Sequence, residues 1–358
     1  MTSASKRLPY LDWVRGLAAI VMLQGHVFDS FLRTDLHSGG AFTVSQFAGG
    51  MPPAVFLFLL GVTFAFLLDS QERKGVAPAA RWRAGVKRAG YLFAVAFLFR
   101  LQLWAFSMGQ SPATDLLRVD VLNCMGFSLF FLSLMAFFRT TERIRLCAIL
   151  GVAIALASPM VSNLDSSIAP EVLRRYLAPD HLFFGFFPWA AFVAFGMSAG
   201  SVLRVARQDE IPTVMQWFAW GGLGLAFSAY ALSGMGISVY SKSDFWLNSP
   251  GLVFIKTGVV LILIAFAWVW NLQSVAKGWS WVRQFGTTSL LVYWVHIELI
   301  YGRGLGALKG FLTVPQTVLA AVLTILLMLG LSLLWTNRRA VWDWLVPAAP
   351  VEERVSGD

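Results

Sequence analysis

LDWVRGLAAIVMLQGHVFDSFLR, residues 11–33, has the length and apolar body of a membrane-crossing helix, yet it carries Asp12, Arg15, His26, Asp29 and Arg33. A bilayer core of ~30 Å takes about 20 residues of helix. On a helical wheel at about 100° per residue with Asp12 at zero, Arg15 and Arg33 fall at about −60°, His26 at about −40° and Asp29 at about −100°. All five share one sector about 100° wide. Interfacial placement of Asp12 and Arg15 at one end, and of Asp29 and Arg33 at the other, accounts for the ends. It does not account for both ends sharing a face with His26. Charges at membrane depth are costly and normally face a bundle interior or a wet cavity, so the stripe reads as a cavity lining. At 1.5 Å per residue His26 lies ~21 Å beyond Asp12, in the outer half of the membrane.

The rest of the chain agrees with a membrane reading. Of its 358 residues 57% are hydrophobic and only 13% charged, and mean hydropathy is +0.67. That composition belongs to integral membrane proteins. Apolar blocks recur at 11–33, 51–68, 88–108, 119–138, 146–162, 183–203, 213–233, 251–270, 286–304 and 314–335. They predict an all-α integral membrane protein, a bundle of about ten transmembrane helices forming a single domain over 1–345. Residues 346–358, VPAAPVEERVSGD, read as a disordered tail. Asp12 and Arg15 interrupt what would be the apolar core of a signal peptide, so the first block is expected to be retained. Cys124 and Cys147 both fall in apolar blocks and read as small buried hydrophobes.

Orientation follows from the loops. ERKGVAPAARWRAGVKR, RTTERIR, RVARQ and TNRRA, with Lys6 and Arg7, fall on one side of a ten-span chain. That side holds 18 of the 28 Lys and Arg residues against 7 on the other, with Arg15, Arg100 and Lys256 within spans. By the positive-inside rule both termini are cytoplasmic. The net charge of +9 follows from this bias and calls for no nucleic-acid partner. The histidines lack the spacing and carboxylate partners of a zinc site, so no metal is expected.

Other polar groups converge on the outer half. FGTTSLLVYWVHIELIYGR (285–303) puts Ser289, Tyr293, His296 and Arg303 within about 80° on one helix face, with Glu298 elsewhere. LLRVDVLNCMG (116–126) supplies Arg118, Asp120 and Asn123, and PDHLFFGFFPWAAFVAFGMSAG (179–200) supplies His181 and Trp189. Each alone has an ordinary explanation: Tyr and Trp favour interfaces, and Arg118 with Asp120 reads equally as an interfacial pair. All four histidines, His26, His37, His181 and His296, nevertheless lie in or near the outer half.

RLPYLDWVRGLAAIVMLQGH (7–26) resembles the first-span signature of the transmembrane acyltransferase superfamily, with Asp12, Arg15, Gly16 and His26 at the matching positions. PPAVFLFLLGVTFAF (52–66), RVDVLNCMG (118–126) and SLLVYWVHIELIYG (289–302) are similar to bacterial relatives of heparan-alpha-glucosaminide N-acetyltransferase. The resemblance implies a multi-pass protein of the bacterial inner membrane that moves an acyl group, acetyl above all, from cytoplasmic acyl-CoA to a hydroxyl or amine of a sugar or glycan at the outer side. The partners it implies are membrane lipid, acetyl-CoA or another acyl-CoA, and that acceptor; a homo-oligomer stays open.

In this frame His26 serves as general base or transient acyl carrier, roles that suit an imidazole, and Asp29 orients it. Tyr293, Asn123 or Ser289 donates to the oxyanion. Arg15 meets the donor phosphates, with Asp12 and Ser289 also assigned to the donor and the basic loop from Arg73 to Arg88 open as a further contact, while Arg118, Asp120, His181 and Trp189 meet the acceptor. His296 is a further catalytic candidate. In eukaryotic members of the branch the catalytic histidine sits in the following outer loop, where this chain has His37; the shared stripe favours His26. A transporter or flippase using the stripe as a proton or substrate path is the rival reading.

Overall fold

The computed structural model describes residues 8–164, 170–181, 183–235, 240, 242–273 and 278–338. The expected tail over 346–358 lies outside the described residues, as do Lys6 and Arg7. In chain order the helices are α1 (Pro9–Phe31), α2 (Gly40–Gly49), α3 (Pro52–Arg73), α4 (Pro78–Phe106), α5 (Val121–Leu132), α6 (Thr140–Ser162), α7 (Glu171–Leu177), α8 (Phe186–Val205), α9 (Ile211–Gly234), α10 (Pro250–Leu272), α11 (Trp281–Thr287), α12 (Ser289–Tyr301) and α13 (Val314–Thr336). No strand occurs among the described residues. Helices satisfy their own backbone groups, which a bilayer requires.

The starts of these helices are written in the sequence. Proline occupies the first turn of α1, α3, α4, α9, α10 and α13, where its missing N–H costs nothing. Asp120 caps α5 by accepting from the amides of Leu122 and Asn123, while the Asn123 side chain accepts from the Asp120 amide.

Every apolar block expected to span is helical. Among the described residues seven segments are long and apolar enough to cross a membrane by themselves: Gly40–Arg73, Pro78–Phe106, Ala113–Phe137, Thr140–Ser162, Phe186–Val205, Pro250–Leu272 and Val314–Thr336. α1 and α9 reach 23 and 24 residues but are diluted by polar groups or glycine. The block at 286–304 is interrupted: α11 ends at Thr287 and α12 starts at Ser289. Thr287 and Thr288 turn their hydroxyls back onto the Gln284 carbonyl at 2.8 and 3.1 Å, a local bond that competes with helix continuation.

α1 lies inside the bundle, against α2, α3, α10, α11, α12 and α13. Its tightest neighbour is α11. A Cβ added at Gly16 would sit 1.8 Å from the Val282 carbonyl oxygen, and one added at Gly286 would sit 1.8 Å from the Asp12 carbonyl oxygen. Backbones that meet this closely need glycine on both sides, the small-residue packing that membrane helices use in place of a hydrophobic drive. This contact fixes the stripe of α1 relative to α12, which follows α11 directly.

At the end of the bundle where α1 begins, Asp69 accepts from Arg204 Nε at 2.6 Å and Thr140 Oγ1 at 3.1 Å and pairs with Arg73 at 3.0 Å. Glu72 pairs with Arg81 and with the fully buried Arg143, each at 3.1 Å. This basic face ties α3, α4, α6 and α8 together. At the opposite face α2 is strapped over α1: Ser45 Oγ donates to Gln24 at 3.0 Å and Gln46 donates to the Gly25 carbonyl at 3.0 Å. Lys256 of α10 donates to the Gly50 carbonyl at 2.9 Å, just past the end of α2.

Candidate functional site

The stripe of α1 is used residue by residue. Arg15 Nη1 donates to Asp12 Oδ1 at 2.8 Å near the basic face. His26 Nδ1 lies 2.9 Å from His296 Nε2, and the two rings are close to coplanar, 15° apart, with centroids 5.1 Å apart. Asp29 accepts from the Tyr301 hydroxyl at 2.7 Å, and Tyr301 sets its ring edge against His26 with centroids 5.4 Å apart. Arg33 leaves the helix and pairs with Asp35 in the following loop; the Arg33 guanidinium holds the Asp35 carboxyl below its ordinary range. The two histidine stripes inferred from helical periodicity therefore face each other.

Two cavities flank this column. One, of about 690 Å³, opens toward the basic face and is lined by Arg15 and Arg88, by Thr287, Thr288 and Ser289 at the α11–α12 break, and otherwise by apolar and aromatic side chains. Its size falls within the usual range of small-molecule sites, about 300–1,000 Å³. The other, of about 180 Å³, lies toward the opposite face and is lined by His26, Arg100, Arg118, Asp120, Tyr293 and Tyr301 among others. Phe56, Val121 and Tyr293 line both. These three shared side chains are the wall between the larger cavity and the smaller one.

Tyr293 stands in that wall with its ring edge toward His296, centroids 5.8 Å apart, and among the described residues its hydroxyl has no hydrogen-bond partner. Asp120 is buried and bonds Arg100 Nε at 3.1 Å as well as the two α5 amides. Arg118 is exposed at the mouth of the smaller cavity, near the Phe183 ring.

The remaining candidates lie apart. Asn123 is engaged by the α5 cap and donates to the Tyr176 hydroxyl at 3.1 Å, and it lines neither cavity. His37 follows α1, with Nε2 3.2 Å from the Leu32 carbonyl and its ring stacked on Phe42. His181 is exposed, with Nε2 3.4 Å from Asp244. Trp189 packs against Phe184 and Phe192 and lies 5.3 Å from the Lys256 ammonium. Among the described residues no group of three or more His, Cys, Asp and Glu side chains is placed to hold a metal ion.

Three contributors to the site carry little signal in the sequence. Arg100 has only its position inside a span, Arg88 stands among loop cations that the positive-inside rule already explains, and Tyr301 falls about 120° from Ser289 on the α12 wheel, off the stripe.

Residues 7–226 match the family described as heparan-alpha-glucosaminide N-acetyltransferase, catalytic. No curated protein matches the chain.

Proposed function

The chain belongs to that family, and we propose that it is a membrane acyltransferase that carries an acyl group from acyl-CoA on the basic face to a hydroxyl or amine of a sugar on the opposite face. The observation that carries the reading is the wall: a larger cavity on one side of Phe56, Val121 and Tyr293, and His26 in a smaller cavity on the other. Under the positive-inside rule the basic face is cytoplasmic, and both termini with it.

In this reading the donor enters the larger cavity. Arg15, steadied by Asp12, and Arg88 meet its phosphates, and the hydroxyls of Thr287, Thr288 and Ser289 line the path of the pantetheine arm. The acyl thioester reaches the wall. A cavity of about 180 Å³ lined by charged and aromatic side chains suits an acetyl group and the edge of a sugar better than a long chain. Arg118 at its mouth presents a donor to sugar hydroxyls, and Asp120, buried in its lining, presents an acceptor.

His26 takes the proton of the attacking hydroxyl or amine as the new bond to the acyl carbon forms. The Tyr293 hydroxyl, free to donate, meets the oxyanion of the tetrahedral intermediate. The C–S bond then breaks and the sulfur leaves as the thiol, taking the proton back from His26. The Tyr301–Asp29 pair holds the aromatic edge against which the imidazole rests. His37, His181 and Trp189 lie outside both cavities and take no part in the step.

The reading is tested by calorimetric binding of acetyl-CoA to the full chain in nanodiscs, with Arg15→Ala and His26→Ala beside the wild type. Binding weakened by Arg15→Ala and kept by His26→Ala, with acetyl release lost in the latter, supports it. A folded wild type that binds no acyl-CoA would move the assignment to a transporter.

A further inference from the structure

We propose that His296 is a positioning residue that sets the tautomer of His26, leaving His26 Nε2 as the reacting nitrogen, and that the two rings together hold one proton. The inference rests on the acyl-transfer reading only for its catalytic consequence; the tautomer comes from geometry alone. His296 Nδ1 lies 2.7 Å from the Val292 carbonyl oxygen. A carbonyl can only accept, so Nδ1 carries the hydrogen and Nε2 of the neutral ring presents its lone pair. That lone pair faces His26 Nδ1 at 2.9 Å, so His26 Nδ1 is the donor. Its other nitrogen, Nε2, is then unprotonated when the ring is neutral, and among the described residues no group bonds it. His26 lines the smaller cavity and His296, fully buried, lines neither.

The same geometry decides where an added proton goes. When His26 Nε2 takes a proton from the acceptor, its Nδ1–H bond to His296 becomes charge-assisted. Shifting that proton to His296 Nε2 leaves an imidazolium whose Nδ1–H still meets the Val292 carbonyl. Either ring can carry the charge. A second proton would set two N–H donors against each other, so the pair accepts one. Returning it through His26 Nε2 to the departing sulfur restores the starting state. The other charged or titratable groups facing the pair are Asp29 of α1, Tyr293 and Tyr301 of α12, Arg100 of α4, and Arg118 and Asp120 ahead of α5. The flanking residues of α2 and α3, Gly49, Pro53 and Phe56, carry no charge.

The chain has four histidines, which makes ¹⁵N-histidine NMR of the full chain in nanodiscs tractable, with His26→Ala and His296→Ala to assign the pair. The expected spectrum shows His26 protonated at Nδ1, and the His26 and His296 signals moving together in one pH step. His296→Gln keeps an acceptor near the Nε2 position but cannot take a proton. It should retain the His26 tautomer and lose the shared step, with KM for acetyl-CoA unchanged and kcat recovered above that of His296→Ala. His296→Ala should mix the tautomers and lower kcat by about 10- to 100-fold, the usual effect of removing an outer partner of a reacting group. His26 protonated at Nε2 in the wild type, or two separate pH steps, overturns the proposal. A wild type with the expected spectrum and no turnover of acetyl-CoA supports the pair and removes the acyl-transfer reading.

Discussion

His26 and His296 are separated by 270 residues in the chain and by 2.9 Å between Nδ1 and Nε2 in the fold. His296 finds one partner in its own helix, the Val292 carbonyl, but His26 finds its partner only because α1 packs against the α11–α12 break. His26 lines the smaller cavity, across the wall from the larger, basic-lined one, and in the proposed reaction it is the base.

Replacing His26 by alanine removes that base. General-base assistance contributes about 10²–10⁴ in rate, so kcat for acetyl transfer should fall by that order. Acetyl-CoA affinity should stay within about twofold, because the donor phosphates meet other residues. Paired calorimetry and steady-state kinetics check both halves of the expectation.

The wall makes Tyr293 informative through two different substitutions. Tyr293→Phe keeps the ring and deletes the donor, and loss of one oxyanion donor costs about 10²–10³ in kcat with KM little changed. Tyr293→Ala joins the two cavities and admits water to the thioester. The ratio of free CoA released to acetyl transferred should then rise above the wild-type value. An unchanged ratio would show that the side chain does not separate the two spaces.

The contact between α1 and α11 is tested by stability. Gly286→Ala places a methyl where the Asp12 carbonyl oxygen lies 1.8 Å away, and overpacking of this kind costs about 1–3 kcal/mol. The melting temperature in detergent should drop, whereas Gly90→Ala, whose added Cβ meets nothing within 4 Å, should leave it near that of the wild type.

A fourth expectation concerns the basic face. Arg143 is fully buried and Glu72 is its carboxylate partner at 3.1 Å. Glu72 is itself partly exposed and Arg143 keeps its bonds to the Phe138 carbonyl and Thr140 Oγ1, so losing the carboxylate costs less than the ~3–5 kcal/mol of a fully buried pair. Glu72→Gln should still lower the melting temperature more than a loss of the exposed Arg207–Glu210 pair, which is worth about 0–1 kcal/mol.

Much of this architecture is legible along the chain because it depends on local periodicity. The apolar blocks are set by bilayer thickness, the Pro and Asp starts by the unpaired amides of a first turn, and the stripe of α1 by the 3.6-residue repeat. The same periodicity places Tyr293 and His296 on one face. What is not legible depends on how helices meet. Asp29 and His26 share a face one turn apart, yet Asp29 bonds Tyr301 while His26 turns to His296. Asn123 follows Arg118 and Asp120 closely in the chain, and only the α5 start reveals that its side-chain carbonyl caps the helix and its amide meets Tyr176. The break at Thr288 arises from hydroxyls competing for one carbonyl inside an otherwise continuous apolar run, a conflict that hydropathy does not register.

The most direct measurement is a cryo-EM structure of the full chain in nanodiscs with an unreactive thioether analogue of acetyl-CoA. The account predicts the diphosphate beside Arg15 and Arg88 and the acyl carbon at the Phe56, Val121 and Tyr293 wall, with space for the acceptor atom between it and His26 Nε2, that atom standing ~3–3.5 Å from the acyl carbon as a reacting pair does. An analogue whose acyl end lies away from that wall, or one that occupies the smaller cavity from the opposite face, would contradict it.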